Sequence, residues 1–181
     1  MKKAYLSALL AVGLSTLTGT AGDTKPTDGI SAGPPPGKPV ASLTDKPVGA
    51  KTTDELIRKI AQAYEAHDSA AYLKIVKAPL RERTQMQIQF VKDGHNVVRN
   101  FKYLTVAQEV ARMGAAPGAA SMGKDKIVNG VKSTYSLPVV GYIDFDVKSS
   151  PEAEPIVAGV PVGQADGKYF LVSRITAPVK P

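Results

Sequence analysis

The chain has 181 residues but no cysteine, no tryptophan and only two histidines. Without cysteine there is no disulfide framework, no thiol nucleophile and no thiolate zinc site. Two histidines cannot build a His-rich metal centre, so neither a metal nor a cofactor is expected. After residue 17 there is no long apolar run, so no later segment is expected to span a bilayer. Concentrated positive charge is missing too. The formal charge is +7, but Lys2 and Lys3 sit in the first segment, and the remaining 21 basic and 16 acidic residues are interspersed. No block of five basic residues occurs, which argues against a nucleic-acid partner. Loose attraction to anionic lipid or cell-wall polymer stays open.

What is present first is an address. Lys2 and Lys3 precede an apolar run from Ala4 to Leu17, and Gly19 and Ala21 occupy the small-residue positions before Gly22. That order is a secretory signal peptide over 1–21, so the chain is expected to be exported, periplasmic or secreted. Leu17-Thr18-Gly19 resembles the lead-in to a lipidated cysteine, but position 20 is Thr, which cannot form the thioether. Residues 22–51 hold six Pro and five Gly and no aromatic residue. They read as a disordered, partly extended linker.

From Thr52 to Pro181 the pattern is that of one α+β domain. Thr52 and Glu55 fit a capping box before a helix carrying Leu56, Ile57, Ile60, Ala61 and Tyr64, expected to end near His67. Asp68 reads as the N-cap of a second short helix with Tyr72, Leu73 and Val76, stopped by Pro79. Residues 80–104 carry both helical and alternating signals; helix is preferred for the first part, with an Asp93-Gly94 hairpin as the alternative. Val106–Met113 reads as a helix and 114–123 as a loop. From Asp125 onward the period changes to two, with strands expected at 131–137, 139–148, 155–162 and 168–176 in an antiparallel meander.

Two segments carry a family resemblance. Residues 60–73, Ile-Ala-Gln-Ala-Tyr-Glu-Ala-His-Asp-Ser-Ala-Ala-Tyr-Leu, resemble the opening helix pair of the nuclear-transport-factor-two-like superfamily. Residues 166–172, Asp-Gly-Lys-Tyr-Phe-Leu-Val, resemble its final hairpin. The resemblance implies N-terminal helices packed on a curved, cone-like antiparallel sheet, often with an internal pocket and often dimeric. That superfamily includes enzymes and inert binders, so fold does not choose function.

Catalytic candidates are few. His67-Asp68 could form a general-base pair, although adjacent residues at a helix turn point apart and Asp68 has a capping task. His95 reads as an exposed turn residue. Asp144 and Asp146 share one strand face with Tyr142; a pocket there could raise one pKa, but their alternation with Ile143, Phe145 and Val147 favours a solvated face, with Arg174 as a cross-strand partner. Tyr64, Tyr72 and Tyr142, with Tyr103, Tyr135 and Tyr169, could line a pocket and bind a ligand, or simply pack. The expected function is a non-catalytic exported domain binding an envelope partner or small ligand. The rival is a small-molecule isomerase or lyase using pocket carboxylates. Residues 155–162 are apolar on both faces, so the outer sheet face is expected to need cover from the 114–123 loop or from a second copy in a homodimer.

Overall fold

A computed structural model describes residues 43, 45–93, 96–150 and 152–179. The expected signal peptide, Thr20, most of the 22–51 linker, Gly94 and His95 lie outside the described residues. The described chain is α+β, with helices packed on a strongly curled antiparallel sheet. None of its helices is long and apolar enough to cross a membrane.

Helix α1 spans Thr53–Glu65. The Thr52 hydroxyl accepts from the Glu55 amide at 3.1 Å, as the capping pattern requires. Glu55 reaches back one residue further than a capping box would, accepting from the Lys51 amide at 2.7 Å. Its other oxygen pairs with Lys59, which also donates to the Gly49 carbonyl. Helix α1 therefore holds the residues that precede it.

Residues 45–51, the end of the expected linker, lie against the domain. Ala50 is 1% exposed and bridges Tyr169. Buried Arg83 donates to the carbonyls of Leu43, Asp45 and Leu73. The packed domain thus reaches back before Thr52.

Helix α2 spans Ser69–Leu73, capped by Asp68, and ends earlier than the sequence pattern suggests. Val76 is not in it; the chain there bridges Leu171, whose amide donates to the Ile75 carbonyl and whose carbonyl accepts from the Lys77 amide. Helix α3 spans Leu80–Asp93 and strand β1 Val97–Thr105. The ambiguous region is thus helix and then strand, without a hairpin at Asp93. Helix α4 spans Val106–Met113 and begins with a true capping box between Thr105 and Gln108.

The remaining strands are β2 (Lys126–Val128), β3 (Val131–Tyr135), β4 (Val139–Lys148), β5 (Ile156–Ala165), β6 (Lys168–Leu171) and β7 (Arg174–Pro178). They form two sheets, β1-β4-β5-β6 and β2-β3-β7. The expected strand 168–176 is therefore two strands, one in each sheet. Its break at Val172-Ser173 is fixed by distant partners: Val172 donates to the Pro161 carbonyl and Ser173 to the Ser136 hydroxyl.

Leu56, Ile60, Tyr72 and Phe90 from α1–α3 pack on Ile143, Phe145, Val162 and Leu171, forming the core on one sheet face. Each such fully buried aliphatic side chain contributes about 2 kcal/mol. On the other face lies α4, placed there by contacts to Asp144. Gly141 lets β1 and β4 close up, since a Cβ there would meet the Leu104 carbonyl oxygen at 2.5 Å. Helices therefore lie on both faces of this sheet, with α4 over β1 and β4 on the outer face, where cover was expected from the 114–123 loop or a second copy. Nor is β5 buried throughout: Val162 is fully buried, but Ile156 and Val157 are exposed.

Candidate functional site

Two groups of polar side chains stand out, both beneath the outer face of β4. The first is Asp144, whose neighbours Tyr142 and Ile143 are buried along with it. The solvated-face expectation for Asp144 is overturned because α4 covers it. Glu109 on α4 is 3% exposed, and Arg112, one turn on, binds both carboxylates. Arg112 Nε lies 2.7 Å from Glu109 Oε2 and 3.1 Å from Asp144 Oδ2, and its Nη2 lies 2.5 Å from Glu109 Oε1. Asp144 Oδ1 is buried without a hydrogen-bond partner among the described residues. It faces Gly159, where a Cβ would sit 2.8 Å away and would press on the carboxylate.

One guanidinium thus serves two buried carboxylates. Burial first, and the Glu109 charge second, raise the Asp144 pKa from 3.8 to about 6, against the opposing pull of Arg112 and Lys102. The trio can store a proton near neutrality and can lock α4 to the sheet.

The second group surrounds Tyr142, which is 5% exposed. Its hydroxyl is buried and has no partner at hydrogen-bond geometry among the described residues. Burial and then a close polar contact with the Tyr135 phenol push its pKa well above the usual tyrosine range, and a contact with the Gly123 backbone acts the other way, although neither contact reaches full hydrogen-bond geometry. Tyr135 and Gly123 also line a cleft of about 320 Å³ with Asp125, Leu137, Pro138 and Val139. The Tyr135 ring is held from behind by Arg174, whose guanidinium stacks 4.6 Å from its centroid and donates to its hydroxyl and to Ser133. Arg174 therefore does not reach Asp144 or Asp146; it belongs to the other sheet. A smaller cleft of about 220 Å³ lies between Lys46, Val48, Lys77, Lys168 and Phe170.

The other sequence candidates are dispersed. His67 is an exposed residue at φ +49° between α1 and α2. Asp68 Oδ1 accepts from the Ala71 amide at 2.9 Å, so its carboxylate is engaged as a cap. Asp146 accepts from Asn100 Nδ2 at 2.7 Å, across a bulge that puts Asn100 at φ +58°. Tyr64 and Tyr72 pack on Phe90, each with ring centroids 4.7 Å from it, and Tyr64 also meets Phe145. The space they could have lined is filled by rings. Tyr103 donates to the Val140 carbonyl at 3.1 Å.

Sequence reasoning missed Glu109 and Arg112. A signal existed: Val106, Glu109, Val110 and Met113 fall at i, i+3, i+4 and i+7, which puts a carboxylate on the apolar stripe of α4. No cluster of three or more metal-ligating side chains occurs among the described residues. Comparison with family models, curated proteins and solved structures finds no match for this chain.

Proposed function

We propose that this chain is an exported, non-catalytic domain of the cell envelope that binds a small ligand in the cleft between the 123–125 turn and the β3–β4 connection. The observation that carries the reading is the buried Tyr142 hydroxyl, which lies against Tyr135 and Gly123, two residues that line the cleft, without full hydrogen-bond geometry to either. Buried polar groups are ordinarily hydrogen-bonded, so an exception calls for an explanation. The cleft is of ligand size, with apolar walls at Leu137, Pro138 and Val139 and few polar groups. It suits a small molecule with an apolar body and a hydrogen-bond acceptor for Tyr142, and Asp125 disfavours an anion. The residues of 1–21 support export, and the curled sheet with its helices supports a cone-like member of the nuclear-transport-factor-two-like superfamily.

Binding is favoured over isomerase or lyase chemistry because Asp144, the carboxylate with a raised pKa, is clamped under α4 and lines neither cleft. A thermal-shift screen of neutral and cationic small molecules tests the reading. Binders should raise the melting temperature of the wild type but not of Leu137→Trp, which fills the cleft, and should be recovered chemically unchanged. Turnover of a compound, lost in Asp144→Asn, would overturn it.

A further inference from the structure

The hairpin formed by β2 and β3 projects apolar side chains that nothing in the described chain covers. Ile127 is 63% exposed, Val128 53%, Val131 41% and the neighbouring Val179 44%. Asn129 and Gly130, at φ +50° and +72°, make the tight turn at its tip. The register distributes these side chains over both faces. Val128 pairs with Val131, and Val131 with Pro178, on one face. Ile127 pairs with Lys132, and Lys132 with Ala177, on the other. Val179 continues that second face, its amide bonded to the Gly130 carbonyl at 2.7 Å. The tip is thus an apolar wedge, bare on two sides.

Its surroundings are basic. Strands β2, β3 and β7 contain Lys126, Lys132 and Arg174 and no carboxylate, and Lys124 stands just before them beside a single acid, Asp125. Lys124, Lys126 and Lys132 take no part in the ion pairs among the described residues. A folded partner packs one face of a hairpin, whereas a fluid apolar medium surrounds both. Basic residues at the base of an apolar tip match an anionic surface above such a medium.

We propose that the β2–β3 tip is a docking wedge for an anionic lipid bilayer, with Ile127, Val128, Val131 and Val179 entering the acyl boundary and Lys124, Lys126 and Lys132 meeting the headgroups. This surface borders the cleft at the 123–125 turn, and the proposal stands whether or not that cleft binds a ligand.

The chain has no cysteine, so a single one introduced by Val128→Cys carries an environment-sensitive fluorophore at the tip, and Val157→Cys on β5 serves as the control. In the full chain the tip probe should shift to the blue with phosphatidylglycerol–phosphatidylcholine vesicles, while the control stays unchanged. Replacing Lys124, Lys126 and Lys132 together by Gln should weaken the tip response on the order of 100-fold. Equal shifts at both probes, or no shift at the tip while the chain co-sediments with vesicles, would overturn the proposal. So would an undiminished response in the Lys→Gln variant. A blue shift without vesicles that grows with protein concentration would also overturn it, by assigning the tip to a second copy of the chain.

Discussion

Asp144 shows how one side chain can hold information that its own strand does not. Alternation along β4 puts it opposite the core face, and on a bare sheet that face would be wet. The cover comes from α4, and with it come Glu109 and Arg112. Burial first, and then the excess negative charge of two carboxylates facing one guanidinium, keep a proton on Asp144 in the folded chain up to about pH 6. The folded-state pKa is raised above that of the unfolded chain. The folded chain then binds more protons between about pH 4 and 6, and the contribution of Asp144 to stability falls as pH rises through that window. We predict that stability measured by denaturant unfolding decreases by about 1 kcal/mol from pH 4.5 to 7, after allowance for solvent screening at partly exposed Arg112. Asp144→Asn should flatten that dependence and cost little at pH 7, because Glu109 and Arg112 remain a balanced pair. Glu109→Gln should move the Asp144 titration back toward 3.8, read from its carboxyl carbon resonance; an unmoved midpoint would leave burial as the sole cause.

At the scale of elements, legibility followed the range of the forces involved. Strand β4 and helix α4 begin and end where the sequence pattern sets them, since alternation and the helical stripe are local signals. So is the Asp166-Gly167 turn, with φ of +52° and +70°. Strand β1 was hidden because its bulge at Asn100 breaks the alternation of Arg99, Phe101 and Lys102. The division of β6 from β7 was hidden because Ser136 and Pro161, both far along the chain, make it. Arg83 is the same kind of case: a basic residue mid-helix reads as surface, yet it is 5% exposed and binds three carbonyls. We predict that Arg83→Met lowers stability by about 3 kcal/mol, because three carbonyls, that of Leu73 buried, lose a charged donor. A non-specific protease should cut the wild type before Asp45, within the Pro/Gly-rich residues, and the variant up to Thr52. Identical fragments from both would show that Arg83 does not hold residues 43–51.

For the whole molecule, two sheets meet at a seam tied by Ser136 and Ser173, and the outer cleft opens beside that seam. The interior that the tyrosine pattern made a candidate pocket is packed with Phe90 and Phe145, so the proposed binding face lies on the outside, at the cleft that Tyr135 lines. Tyr142 was legible as a site candidate from its strand face, but the cleft was not, since Gly123 and Pro138 reach it from separate loops. We propose that the Tyr142 hydroxyl, close to Tyr135 and Gly123 but at full hydrogen-bond geometry with neither, is available to a ligand in that cleft. Denaturant unfolding of wild type and Tyr142→Phe tests it directly. An unpaired buried hydroxyl costs stability, so the Phe variant should be at least as stable as the wild type and up to about 1 kcal/mol more so. A Phe variant less stable by about 1 kcal/mol or more would show the hydroxyl already paired within the fold and would contradict the account.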